Sequence, residues 1–524
     1  MDVASRARQG AGTLDYIQGL RAVAALVVVL FHIGAAERQL NVANPAFGIL
    51  HYFGFGGVNL FFVISGFIIT YAHHRQIGEA RSAPGFVVRR LVRLMPVYWI
   101  CWLGALAISY LIFREPYCAP GNVFWQPVAN LLLTFGTTNC YIPQAWSLSW
   151  EMVFYAVFVV FFFLPRPLFI PAVTSWAALM VLANGFGNGG AATALLNVLC
   201  LQFLFGIAAA RLVLNGRCRF SRASMLLGLG WFAAGGWLNA AGVTSTEDNL
   251  HRVLLFGAAS FFLVYGAAAW NLARPARAPR LVALLGDASY AIYLVHITLI
   301  IIINRAFFVP GLPAAAQALF VIATALACTV AGAVVYLGIE RPLLRGMRGS
   351  RHPAVALGAI ALMFLGTVGA AALVTGSMDQ AFHSAPPTYP VSGRMEEQDG
   401  RTTVTLNGRE LRLVPEDQGW ASRVERGADG SLRLAGWAVD RERSMTAIAV
   451  VAFIDGVAVH GAVPLTDFPL PWRHGFAEGR RAGFDFVLPA ELLRGRTQLR
   501  LMALFAGDRI GVVRTRGEVT LAGG

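Results

Sequence analysis

The first 375 residues alternate between long apolar runs and short polar breaks. The runs cover 16–36, 50–72, 96–113, 148–164, 168–184, 192–213, 224–242, 252–270, 289–306, 316–338 and 354–375. Each is close to the roughly 20 residues that a helix needs to cross a bilayer, although the third and fourth are short. Beyond residue 400 the period changes to two. Runs such as TVTLNGRELRL, SLRLAGWAVD, IAVVAFIDGVAV and GFDFVLP are punctuated by N-G, D-G and G-D pairs, the signature of tight hairpins. The pattern predicts an all-α polytopic membrane bundle, ten core helices plus an eleventh span, followed by a small all-β, sandwich-like domain. The corresponding boundaries are 1–345 for the bundle, 346–376 for the additional helix, 377–400 for a polar linker containing S-A-P-P-T-Y-P, and 401–524 for the β-rich domain.

Composition agrees with the pattern. The chain is 56% hydrophobic and only 13% charged, with a mean hydropathy of +0.59, well outside ordinary soluble usage. It contains no lysine, so its 42 basic residues are all arginine, and its net charge is +14. That balance does not indicate a nucleic-acid partner, because the arginines gather in short clusters between apolar spans. Arg6 and Arg8 precede the first run; Arg75, Arg81, Arg89, Arg90 and Arg93 follow the second; Arg166 follows the fourth. Arg211 to Arg222, Arg274 to Arg280 and Arg341 to Arg351 follow the sixth, eighth and tenth. Every even-numbered loop is arginine-rich, which predicts a cytoplasmic N-terminus and an extracytoplasmic β-domain. The first apolar run has full spanning length and no small-residue cleavage site, so no cleavable signal is expected.

Few strongly polar residues fall inside the spans. Arg21 and His32 are eleven positions apart in L20-RAVAALVVVLFH-32. On a helix this is three turns plus roughly 20°, with a rise of roughly 16 Å, so both project from one face. A charge inside a span costs on the order of 2.5 kcal/mol or more and usually faces a bundle interior or a wet pathway. An interfacial arginine with a packing histidine is the plainer reading, and a proton relay in a transporter or flippase is another. Glu151 is the only other carboxylate within a span apart from Asp287 and Glu340 near span ends. It needs a partner, and three roles are open: orienting His32, binding an acceptor, or an ion pair with Arg21 or another arginine. Cys118 and Cys140 share one outer loop and are expected to be bridged in an oxidising compartment. The other four cysteines lack metal-ligand spacing and read as packing residues, so no metal is expected.

Six ordered stretches resemble the acyltransferase family 3 integral membrane proteins. They are L20-RAVAALVVVLFH-32, G56-GVNLFFVISGFIIT-70, R89-RLVRLMPVYW-99, W146-SLSWEMVFY-155, L285-GDASYAIYLVH-296 and I339-ERP-342. The resemblance covers residues 14–345 and stops before the β region. It implies transfer of an acyl group, acetyl in the commonest case, from cytosolic acyl-coenzyme A to a hydroxyl of an extracytoplasmic polysaccharide or lipid-linked saccharide, in a bacterial inner membrane. His32 would then be the general base or the transient acyl carrier. Arg21, three turns nearer the cytoplasm, would orient a polar part of the donor or pair with a carboxylate, and Glu151 would complete the catalytic set. Arg90 and Arg93 would grip donor phosphates, since guanidinium groups bind phosphate oxygens bidentately. Trp146, Ser147 and Ser149 would meet the acceptor, an indole face being suited to a sugar ring. Some family members add an outer hydrolase-like domain with a serine nucleophile; the β region here lacks that constellation. Acceptor identity and oligomeric state are not legible in the chain.

Overall fold

The computed structural model describes residues 14–39, 52–109, 125–134, 141–185, 193–244, 249–275, 277–307, 313–348, 353–382, 391–398, 401–414, 418–427, 429–440, 445–462, 483–505 and 509–515. Cys118 and Cys140 lie outside these residues, and so does their expected bridge. Two compact units emerge: the helical part up to Ala371, and a second unit that holds the strands.

In the helical unit the described parts of the apolar runs are helical, apart from the breaks given below. The long helices are α1 (Asp15–Gln39), α2 (Phe55–His73), α3 (Ala83–Ala107), α4 (Trp146–Phe163), α5 (Phe169–Gly185) and α6 (Leu201–Leu214). They continue with α7 (Ser221–Ala240), α8 (Ala258–Ala273), α9 (Arg280–Phe307), α10 (Ala314–Val335) and α11 (Pro353–Phe382). Among the described residues, eight helical segments are long and apolar enough to cross a membrane, and the protein is an integral membrane protein. Exposed Leu226, Leu229, Leu326, Leu362 and Leu365 on the outer helices form the lipid face of such a bundle.

The structure departs from the expected spans in three places. The third helix begins at Ala83 rather than at 96, because the apolar spacing Phe86, Val88, Val92 continues through the arginines and Pro84 sits in the first turn. The sixth run is broken at Asn197, whose side chain accepts a hydrogen bond from Leu199 N at 2.9 Å and so favours a cap over helix continuation. Finally, π-turns interrupt the eighth and tenth runs at Val253–Gly257 and Tyr336–Glu340. A π-turn inserts one residue and re-phases the helix after it. In α10, whose surface is mostly exposed, the re-phasing turns Glu340 fully inward and starts a short helix, Arg341–Arg348.

Helix α1 is central. Ile17 and Ala24 pack with Leu60, Val63 and Phe67 of α2, Ala209 and Val213 of α6, and Val264 and Ala267 of α8. Ala25, Val29 and Ile33 pack instead with Ala288 and Ile292 of α9 and Val321 and Cys328 of α10. Helices α2 and α6 touch backbone to backbone: a Cβ on Gly66 would lie 2.1 Å from the Phe203 carbonyl oxygen, and one on Gly206 would lie 2.1 Å from that of Val63. With no hydrophobic force between helices in lipid, such close approach supplies the attraction.

Among the described residues the second unit holds eleven strands: β1 (Gly393–Gln398), β2 (Arg401–Leu406), β3 (Arg409–Leu413), β4 (Gly419–Arg426), β5 (Leu432–Asp440), β6 (Met445–Thr446), β7 (Ala449–Ile454), β8 (Val457–Ala462), β9 (Gly483–Leu488), β10 (Leu499–Phe505) and β11 (Arg509–Thr515). The two-residue hairpins fall where N-G and D-G stand in the sequence. Asn407 and Gly408 have φ of 50° and 78°, and Asp455 and Gly456 have 48° and 78°, as type I′ turns require. The pairing order β10-β7-β8-β1-β2-β3-β11 closes on itself through β10–β11, giving a ring where two separate sheets were expected. The reason lies in β7, which is buried at every position. Ala449, Val451 and Phe453 join the ring core with Val404, Leu411 and Ile510. Val450, Ala452 and Ile454 join a second core with Leu434 of β5 and Phe484 and Phe486 of β9.

Candidate active site

A cavity of about 870 Å³ opens within the helical unit, walled by α1, α2, α3, α4, α9 and the segment from Tyr336 to Met347. At one end it collects Arg89, Arg90 and Arg93 of α3 with Arg341 and Arg345. Arg341 and Arg345 stand four residues apart, hence on one helix face. The last turn of α4 is anchored at this end, since Phe161 O accepts a hydrogen bond from Gly78 N at 3.1 Å. The cavity then passes Tyr155 and Glu151 along α4 and finishes at Ser147 and Tyr293.

The arginines are held in different ways. Arg93 forms an ion pair with Glu340, whose carboxylate is fully buried. Arg90 Nη2 lies 3.3 Å from His73 Nε2. Its guanidinium carbon is 5.4 Å from the Phe86 ring centroid and 5.8 Å from that of Tyr155. His73 Nδ1 lies 2.7 Å from the Gln76 carboxamide oxygen and must donate to it, which leaves Nε2 to accept from Arg90. Arg90 is thus steadied by neutral groups and retains its charge for the cavity.

Arg21 also lines the cavity. Its Nη1 donates to Gln18 Oε1 at 3.0 Å, and Gln18 Nε2 donates to Asp287 Oδ1 at 2.7 Å. Gly286 allows this contact, because a Cβ there would lie 2.4 Å from the Gln18 carbonyl oxygen. Glu151 accepts from Ser65 Oγ at 3.0 Å and from the Tyr155 hydroxyl. Hydroxyls, and neither Arg21 nor His32, are its hydrogen-bond partners among the described residues: Ser65 reaches it from α2, and Tyr155 from one turn along α4. Tyr293 donates to the Gln144 carbonyl at 2.6 Å, and its oxygen is 2.7 Å from Ser147 Oγ.

His32 does not line the cavity. Its ring centroid lies 4.9 Å from that of His296, which lies 5.7 Å from that of Tyr293 in the cavity wall. The shared face expected for Arg21 and His32 therefore holds in projection only. Of the three proposed acceptor residues, Ser147 reaches the cavity, Ser149 is buried and does not line it, and Trp146 lies 5.1 Å from the guanidinium carbon of buried Arg252. Arg341, Arg345 and Tyr155 have no site role in the sequence reading, and Asp287 stands there only as a carboxylate near a span end. Tyr155 had a signal, four residues after Glu151 on one face; the arginines looked like ordinary loop anchors.

The fold and this cavity define a membrane-embedded bundle with a charged interior site rather than a lipid-filled core. Residues 14–337 match the Acyltransferase domain family, and the chain belongs to that family, acyltransferase family 3. It is a membrane acyltransferase. It is 33% identical over 318 residues to the exopolysaccharide production protein ExoZ of Rhizobium meliloti (strain 1021), covering 57% of this chain and 93% of that protein. It is 28% identical over 181 residues to acyltransferase MdmB of Streptomyces mycarofaciens, covering 31% of this chain and 42% of the other. Protein 2 in the picA locus of Rhizobium radiobacter is 29% identical over 160 residues, covering 27% of this chain and 78% of that protein. No solved structure matches the chain.

Proposed function

We propose that this acyltransferase takes an acyl group, by default acetyl, from cytoplasmic acyl-coenzyme A. It delivers the group to a hydroxyl of an extracytoplasmic polysaccharide or lipid-linked saccharide. The setting is a bacterial inner membrane, with the N-terminus cytoplasmic and the β-domain outside, as the arginine distribution supports. The observation that carries the reading is the cavity itself, which joins five arginines at one end to the Ser147–Tyr293 hydroxyls at the other. Arg90 offers uncompensated charge to donor phosphates, with Arg89, Arg341 and Arg345 around it. Arg93, already neutralised by Glu340, shapes the wall. The thioester arm lies along the cavity past Glu151 and Tyr155. His32 takes the proton of the acceptor hydroxyl as its oxygen attacks the thioester carbonyl. The carbon–sulfur bond breaks, and the departing thiolate takes the proton back, giving the acyl ester and free coenzyme A thiol. The name of the Rhizobium meliloti relative, an exopolysaccharide production protein, supports a saccharide acceptor.

Mass spectrometry of cell-surface glycan from cells with and without the gene, with radiolabelled acetyl-coenzyme A supplied to their membranes, tests this. The expected result is a gain of one acyl unit per modified residue and label in the glycan. An unchanged glycan with no coenzyme A release overturns the reading.

A further inference from the structure

We propose that His296 is a positioning residue that fixes the tautomer and orientation of His32; this rests on the reading of His32 as the base. The pairing follows from which atoms can only accept. His296 Nδ1 lies 2.8 Å from the Tyr293 carbonyl oxygen, which has no proton to give, so this nitrogen carries the hydrogen and donates. With Nδ1 protonated, the neutral ring presents a lone pair at Nε2. That atom is 3.0 Å from His32 Nδ1. His32 Nδ1 also lies 3.0 Å from the Val28 carbonyl oxygen, a second acceptor. Both neighbours demand a hydrogen at Nδ1 of His32, so its own lone pair is directed to Nε2. That nitrogen makes no hydrogen bond among the described residues, and His32 is only half-buried whereas His296 is fully buried. The base is thereby held with one nitrogen occupied and the other open.

Supporting contacts hold His296 in turn. Gln144 Nε2 donates to the same Tyr293 carbonyl at 3.1 Å and to that of Leu294 at 2.8 Å, which ties the α9 turn carrying His296 to the start of α4. An imidazole oriented through its second nitrogen is the same device by which a carboxylate orients the histidine of a hydrolytic triad; a wrong tautomer there costs about 10⁴ in rate. A neutral imidazole partner does this without placing a charge in the bundle. It also closes the path: the chain of hydrogen bonds ends on the Tyr293 and Val28 carbonyls, so a proton taken at His32 Nε2 returns by the same nitrogen and suits the leaving thiolate.

The test uses the full chain in lipid nanodiscs with ¹⁵N-labelled histidine, acetyl-coenzyme A and the acceptor glycan fraction. In the wild type the His32 signals, identified by their loss in His32→Ala, are expected to show Nδ1 protonated and Nε2 bare. His296→Leu leaves the Val28 carbonyl as the one remaining partner of His32 Nδ1 among the described residues. It is expected to let the second tautomer appear beside the first and to lower kcat on the order of 10²-fold, with the KM for acetyl-coenzyme A unchanged. His296→Gln, which puts a carboxamide oxygen where Nε2 accepts, is expected to restore the tautomer and most of kcat. An Nε2-protonated His32 in the wild type overturns the inference, as does a His296→Leu enzyme with unchanged kcat and tautomer. If His32→Ala is itself fully active, the base reading fails instead, whatever His296 does.

Discussion

The two ends of the membrane cavity solve opposite problems. One end gathers five arginines, and only Glu340 answers one of them with a buried carboxylate in ion-pair contact. The other end holds the Ser147 and Tyr293 hydroxyls, backed by the Gln144 carboxamide and, outside the cavity, by the His296–His32 pair, all knitted by hydrogen bonds between neutral groups. An excess of cations kept inside a bundle is costly unless an anion arrives, so the first end is built for a polyanionic ligand. The second end has no arginine in its lining, the buried Arg252 guanidinium lying behind Trp146, and it has a surplus of directional contacts. It is built to aim atoms. Binding and chemistry are thus placed on separate residues, and substitutions at the two ends should separate accordingly.

The strongest way to break this contrast is at the histidine end. His32→Ala is expected to lower transfer by about 10²–10⁴-fold while donor affinity stays within twofold. Parallel titration of acetyl-coenzyme A binding and turnover checks this; a matching loss of affinity would merge the two ends. The ion pair comes next. Glu340→Leu or Arg93→Leu alone leaves a bare charge in the bundle and is expected to destabilise the helical unit by about 3–5 kcal/mol. The double replacement should recover most of it, and thermal unfolding in detergent reads the difference. A double variant no better than the singles would mean that Arg93 has another essential partner.

Arg90→Ala should act on the donor alone. Losing charge-assisted contacts worth about 1.5–3 kcal/mol raises the KM for acyl-coenzyme A by roughly 10-fold or more with little change in kcat. Its effect should shrink with a donor stripped of the nucleotide phosphates. The smallest effect is expected far from the site, in the β unit. Asp455 accepts hydrogen bonds from Gln498 N and from the Thr497 backbone and hydroxyl, and these hold its carboxyl below the usual carboxylate range. Its folded value lies below its unfolded one. The turn is therefore stabilised at neutral pH, and that contribution fades as pH falls through the folded value. Asp455→Asn is expected to flatten the acid limb of the β-unit unfolding curve, followed by near-ultraviolet circular dichroism, and to leave acyl transfer unchanged.

Much of this was legible in the chain because the signals were local. Apolar run length marked the helices, and the N-G and D-G pairs marked the two tight hairpins. The arginine clusters pointed to the charged end, although Arg341 and Arg345 looked identical to loop anchors until the π-turn at Tyr336–Glu340 brought them round. That re-phasing has no composition signature. Nor could spacing show that Ser65, rather than Arg21, joins Tyr155 in satisfying Glu151, since helix order in a bundle decides which face meets which. His296 stands 264 residues from His32, and only packing of α9 on α1 joins them. The ring closure in the β unit was hidden for the same reason: β7 reads as a short apolar strand, and which two layers cover it depends on strands far along the chain.

Transfer is proposed to run across the membrane from the arginine end of the cavity to an acceptor met at His32. Sealed inside-out vesicles carrying the full chain and enclosing the acceptor glycan test it directly, with labelled acetyl-coenzyme A supplied only to the outer, originally cytoplasmic face. Label is predicted to enter the enclosed glycan with the wild-type chain and not with His32→Ala. Labelling that requires acetyl-coenzyme A inside the vesicle, or that proceeds equally with His32→Ala, would contradict the account.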